Sequence, residues 1–389
     1  MLEHTLSQTP EQLLAAAREI TGIPIIDEQA LEPLSVLVQS VNNEAHLTTS
    51  GAKAYEQRLL HHLCNRLRME RDFRAHPEIN DADIKAPLIV CGMGRTGSTK
   101  TQKLLAATGD FNYLPMWQSW CPCTYSGEPN EDTAERIQIA DDYLTFLYSE
   151  SPDIKLTHYM QVDQPEEESY IMEASLVSLC TYGHVRVPSY VGWVLEQGLD
   201  YSINYVERTL KYLQWQGLAD NNKPWLLKSP LYCGHEAALL KVFPSAKVIM
   251  THRDPRSTIA SHISLHEALQ VPYISARESP QEMLQGLAMS IHNHLDYRQQ
   301  HGDEHFLDVH YLDVHQAPLQ VVDAIYRFYD KPLSEQATQN VATWNTSNPI
   351  HQKGKHRYTL DQFGLDEETV TAAYARYMPF LEQIPRLTP

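Results

Sequence analysis

Long apolar runs are missing from this 389-residue sequence; none approaches the roughly 20 residues that a helix needs to cross a bilayer. The opening stretch, MLEHTLSQTPEQLL, is polar and acidic and lacks the basic and apolar regions of a signal peptide. The expected compartment is therefore the cytoplasm. Cysteine is scarce: six are present, and only Cys121 and Cys123 are close together. One C-x-C pair does not make a zinc pattern, and no metal is expected. Cys91 and Cys180 sit in apolar runs and read as reduced core residues. Positive charge is short too, with 31 Lys+Arg against 49 Asp+Glu, a net of −18. Such a balance repels polyanions and argues against nucleic acid or an anionic membrane as partner, while leaving room for a local cationic pocket. No repeat and no low-complexity tract is present.

What is present reads as a folded chain. The apolar fraction of 42% and charged fraction of 21% are ordinary, and the length suggests two to three domains at roughly 150 residues each. Residues 10–75 carry apolar residues at helical spacing in three runs. A polar stretch from His76 to Lys85 follows and reads as a boundary. Beyond it, APLIVCG (86–92), WLLKS (225–229), AKVIMTH (246–252) and HFLDVHY (305–311) read as strands. Helical patterns at 134–149, 166–182, 202–217, 234–242, 256–268 and 280–300 separate or follow them, with two or three more after Tyr311. Strands alternating with helices predict an α/β fold, a P-loop-like, mostly parallel sheet flanked by helices. The division expected is a helical N-terminal extension over 1–84 and an α/β domain over 85–389.

Two anion-binding patterns stand out. The first strand runs into GMGRTGST (92–99), whose glycines allow a tight turn with inward N–H groups before a helix N-terminus. Its spacing matches G-x-x-x-x-G-K-[ST], but Ser98 stands where a nucleoside triphosphate needs Lys. Arg95 lies within the loop instead, which points to a phosphorylated ligand other than ATP or GTP. A glycine-rich turn without a ligand is the plain alternative. After AKVIMTH comes HRDPRSTIASH, with Arg253 at the strand exit, Asp254 as N-cap and Pro255 at the first helical position. Ser257 and Ser261 are four apart on one helix face. Arg253 and Ser261 can then grip one phosphate at the carboxyl edge of the sheet.

In this order, the two motifs resemble those of sulfotransferases that use 3′-phosphoadenosine 5′-phosphosulfate, in particular the bacterial branch. HYMQVDQPEEESYIM, PWLLKSP, VFPSAKVIMTHRDP and KGKHRYTLDQFGL add to the likeness, which covers about residues 85–380. The resemblance implies that Gly94, Arg95, Thr96, Gly97, Ser98 and Thr99 bind the 5′-phosphosulfate. It assigns Arg253 and Ser261 to the 3′-phosphate, and Lys353, Lys355, His356 and Arg357 to a loop closing over the nucleotide. A solvated basic run is the bland reading of that loop. Three positions depart from the family: Lys100 replaces an adenine-stacking Trp, Lys228-Ser229-Pro230 lacks the His of the vertebrate branch, and Gln118 stands where related branches place a Glu.

Sulfuryl transfer, like phosphoryl transfer, relies on positioning and cationic donors. The backbone of 96–99, Arg95 and Lys228 are expected to hold the transferring group and the bridging oxygen. An alcohol acceptor needs a base, and the densest group of candidates is His158 with Glu166, Glu167 and Glu168. Pro165 places the three glutamates in a helical first turn, at least two of them solvated. Glu167 is the favoured base and His158 the alternative. Trp117, Trp120, Tyr125, Tyr190 and Trp193 are candidate walls for the acceptor. The acceptor expected is a small neutral or hydrophobic hydroxyl compound. A P-loop-like kinase and a non-catalytic nucleotide-binding relative are the competing functions.

Overall fold

Each of the four apolar runs forms a strand in the computed structural model, which describes residues 4–25, 27–275, 279–349 and 358–387. They are β1 (Leu88–Cys91), β3 (Trp225–Lys228), β4 (Lys247–His252) and β5 (Phe306–His310), and a two-residue strand, β2 (Asn112–Tyr113), joins them. The order across the sheet is β2-β3-β1-β4-β5, and every pairing is parallel. β1 lies centrally, with Ile89 opposite both Leu227 and Val248. Parallel strands need covered faces, and the sequence supplies apolar residues to both. Ile89, Cys91, Leu227 and Val248 point into one core, while Leu88, Val90, Leu226 and Ile249 point into the other. The fold is α/β, as the alternation of strands and helices predicts.

The N-terminal helices α1 (Pro10–Thr21), α2 (Glu28–Glu44) and α3 (Thr49–Ala75) form at their expected places. Leu13, Leu34, Leu59 and Leu63 join the same apolar cluster as Ile89 and Leu227. Buried ions tie α3 onward: Arg58 pairs with Glu173, and Arg66 donates to the carbonyls of Ala174 and Ser175 at 3.3 and 3.0 Å. These helices thus brace the segment that carries the glutamates discussed below.

Local patterns fail in two places. The helix predicted over 166–182 is instead a short helix, Ser169–Ala174, and a 3-10 turn, Leu179–Gly183. Leu176 between them has φ of 64°, which stops helical propagation. From Tyr311 onward the described residues form five α-helices, more than the two or three expected, the last being Tyr377–Gln383. Among the described residues no helix is long and apolar enough to cross a membrane.

Candidate active site

The loop from β1 to the next helix, α4 (Ser98–Ala107), is held in a conformation that few residues tolerate. Gly92 has φ of 130°, and a Cβ there would lie 2.5 Å from the Thr251 carbonyl oxygen on β4. A Cβ on Gly94 would lie 2.2 Å from Nδ1 of His262, so glycine is what lets that ring approach the loop. Arg95 adopts φ of 71°, a left-handed conformation unfavourable for a side chain of its size. Thr96 is fully buried, and its hydroxyl contacts the Met93 carbonyl and the Thr251 hydroxyl, both at 2.7 Å. Its side chain therefore shapes the turn. Gly97 is the N-cap of α4 and has no side chain to cap it, which leaves the first-turn amides at Ser98 and Thr99 to meet an anion.

The second motif meets the first. Asp254 caps the Pro255–Gln270 helix and Pro255 begins it, as the sequence predicts. The buried Ser261 on that helix accepts a hydrogen bond from Arg95 Nε at 2.9 Å, and Arg253 donates to the Arg95 carbonyl at 3.3 Å. Ser257, one turn earlier, is exposed. The Arg253 guanidinium lies 4.0 Å from the ring centre of Tyr311, which follows β5 directly. Two guanidinium groups thus converge on one loop. Burial lowers the pKa of Arg95, and Arg253 beside it pushes in the same direction. An anion placed there would relieve that repulsion.

Across the cleft, the glutamates are neither helical nor mostly solvated. Residues 162–166 run beside 114–117 through backbone bonds from Met116 and Trp117 to Gln164 and Val162 and from Glu166 to Leu114. The helix therefore starts only at Ser169, after Pro165 has paired with Pro115 in a β-bridge. Glu166 and Glu168 are buried, and Glu167 is half-buried. Lys228, fully buried at the end of β3, donates to Glu167 Oε1 and stands 3.8 Å from Glu166. Its backbone N–H donates to Glu168 at 3.0 Å. Glu167 also accepts from the Ser169 hydroxyl at 2.9 Å on its other oxygen.

These contacts set the charges. Burial opposes ionisation of Glu166, but His158 at 3.2 Å and Lys228 outweigh it and pull its pKa to about 2. Burial works against charge on Lys228 as well, and Glu167 and Glu166 reverse that, raising its pKa. At Glu168 burial dominates and the neighbouring Glu167 adds to it, raising its pKa. His158, Glu166 and Glu167 bring three ligand atoms within 4.8 Å of one another, but the Lys228 ammonium already lies against both carboxylates.

Arg95, Ser98, Thr99, His158, Glu166 and Glu167 line a single hollow of about 150 Å³. The structure thus brings the glycine loop together with His158, Glu166 and Glu167. Lys228 reaches this site through its pair with Glu167. Lys353, Lys355, His356 and Arg357 lie outside the described residues. Lys100 is half-buried with Nζ 3.5 Å from His315 Nδ1. Gln118 is buried and does not line the hollow.

The five aromatic candidates do not line it either. Trp120 stacks between His61 and Tyr143 at 4.2 and 3.8 Å, and Tyr190 donates to the Leu176 carbonyl at 3.0 Å. Packing claimed them first. Sequence reasoning also missed Lys103 on α4, whose pKa is lowered by burial and raised by nearby Glu166. Its only sequence signal is its place one turn after Thr99.

A parallel sheet with a glycine loop at the carboxyl end of its central strand defines a P-loop-like α/β protein. A family model described as sulfotransferase family matches residues 87–335, and the chain belongs to that family. Among solved structures it is similar to sulfotransferase STF1 from Mycobacterium tuberculosis H37Rv, with 28% identity over 96% of this chain and 100% of that one, at a TM-score of 0.80. Sulfotransferase STF9 from Mycobacterium avium is similar at 26% identity, with 96% of each chain covered and a TM-score of 0.83. No curated protein matches the chain. The family is one of transferases, and the resemblance to bacterial members read from the motifs holds.

Proposed function

We propose that the protein transfers a sulfuryl group from 3′-phosphoadenosine 5′-phosphosulfate to the hydroxyl of a neutral or hydrophobic alcohol or phenol. The observation that carries this reading is the shared hollow in which Arg95 faces the Glu167–Lys228 pair. Gly94, Arg95, Gly97 and the first-turn amides at Ser98 and Thr99 would hold the sulfated phosphate, with Thr96 locking the turn. Arg253 and Ser261 would grip the 3′-phosphate. The donor supplies an activated sulfur whose leaving group is a stable phosphate.

The chain's own residues do the rest. Glu167 accepts the acceptor's hydroxyl proton as its oxygen forms the new S–O bond and the bond from sulfur to the bridging phosphate oxygen breaks. Lys228, already beside Glu167, is placed to meet the charge that develops on that bridging oxygen. Ser119 fixes the Glu167 carbonyl at 2.7 Å, Ser169 holds one carboxylate oxygen at 2.9 Å and Lys228 holds the other, so the carboxylate is fixed in orientation. His158 is held by the ionised Glu166 and is the second proton acceptor in reach.

A kinase reading needs a magnesium-holding carboxylate at a strand end. Asp308 on β5 is the acidic residue there, and it is engaged by His252 at 2.8 Å and Arg298 at 2.7 Å. Gln118, the departure from the family that favours a non-catalytic reading, does not line the hollow. Incubation with ³⁵S-labelled donor and a panel of alcohols and phenols tests the proposal. Labelled acceptor supports it, and labelling of none across the panel contradicts it.

A further inference from the structure

A second hollow lies beside the first and has a different chemistry. Its volume is about 400 Å³, inside the range of about 300–1,000 Å³ usual for ligand pockets. Val191 and Leu195 of the Pro188–Gln197 helix and Met283, Leu287 and Met289 of the Pro280–His301 helix make its walls apolar. Gly94, Leu179, Pro230, Leu231 and His262 line both hollows, so the apolar cavity is continuous in its lining with the cleft that holds Glu167. At the other end Leu195 and Met289 are 41% and 50% exposed. Large apolar side chains gathered at the mouth of a cavity mark a binding surface more often than a random patch.

The junction is neutral as well. Nδ1 of the buried His262 makes no hydrogen bond, and burial holds the ring far from protonation. Glu282 at the rim is answered by Arg186 at 3.4 Å. The polar side chains of the lining, His235, Ser290 and Asn293 among them, are outnumbered by its apolar walls.

From the shared lining we infer that the acceptor is an alcohol or phenol with an extended hydrocarbon body. Its hydroxyl is presented to Glu167, and its body passes Leu231 and His262 into the apolar cavity. The inference rests on the sulfotransferase reading above and adds the substrate class to it. Chain length is then the determinant of selectivity, because each methylene taken out of water favours binding.

Two filling variants test this. A Cβ on Gly286, which lines the cavity, meets nothing within 4 Å, and replacing a helical glycine favours the fold. Gly286→Phe narrows the cavity from one side, and Val191→Phe narrows it from another. For the wild type, kcat/KM for 1-dodecanol should exceed that for 1-butanol by at least about 100-fold. Both variants should cut that ratio at least tenfold. Equal use of the two alcohols by the wild type, or a preference that survives both variants, overturns the inference. If neither alcohol is sulfated, calorimetric titration of 1-dodecanol separates the two claims. Binding lost in Gly286→Phe and Val191→Phe keeps the cavity and removes the transferase reading. No binding removes the cavity's assignment.

Discussion

Arg95 Nε donates to Ser261 Oγ at 2.9 Å, joining the glycine loop to a helical residue 166 positions further along the chain. The bond holds a guanidinium whose backbone is in a left-handed conformation, so a residue disfavoured by its φ of 71° is fixed by a partner on another element. It also places Ser261 within the phosphate loop's surroundings.

Ser261→Ala should loosen that arrangement. The same hydroxyl would donate to the 3′-phosphate, and losing a hydrogen bond to a charged group is worth about 1.5–3 kcal/mol, so affinity for adenosine 3′,5′-bisphosphate should fall at least about tenfold. Affinity for adenosine 5′-monophosphate should change much less. Calorimetric titration of both nucleotides reads the difference, and an equal loss for the two would remove the 3′-phosphate from this site.

Arg95→Ala should lower kcat by about 10²–10³, the range for one preorganised donor at a developing charge. Arg95→Gly should lose activity equally while keeping or raising Tm, since glycine accepts the left-handed backbone. A change confined to KM would make Arg95 a binder of nucleotide only.

Glu166 predicts an acid limb in stability. Its pKa is depressed from an ordinary 4.5 to about 2, so its contribution is complete above about pH 4.5 and is lost as pH falls towards 2. Wild-type urea midpoints should drop between pH 5 and pH 3. Glu166→Gln should be less stable at pH 5 and show a shallower drop; a parallel curve would contradict the His158–Glu166–Lys228 arrangement.

Much of this fold was legible locally. β1, β3, β4 and β5 are short apolar runs, and Asp254-Pro255 is a cap whose chemistry works within a few residues. β2 was not, because Asn112 and Tyr113 carry no strand pattern and are recruited by pairing with Trp225 and Leu226. The glutamate segment misled for the opposite reason. Its acidic run after Pro165 has the look of a helical first turn, but Lys228 and the 114–117 backbone bind it in extended form. The pairing of Lys228 with Glu167 spans 61 residues and follows from the parallel crossover, which no local spacing records. Gln118, at the position where related branches place a Glu, is buried and does not line the hollow. Trp117, Trp120 and Tyr190 are buried in the core, and Val, Leu and Met form much of the apolar cavity's wall instead.

The proton acceptor is the central claim, and Glu167→Gln tests it most directly. Rates should be compared for an aliphatic alcohol and for a phenol of low pKa, with product-nucleotide binding measured alongside. The account predicts loss of alcohol sulfation, partial retention of phenol sulfation because the phenol ionises with less help, and unchanged nucleotide binding. Near-wild-type alcohol sulfation by Glu167→Gln would contradict it, and loss of that activity in His158→Ala alone would move the role to the imidazole.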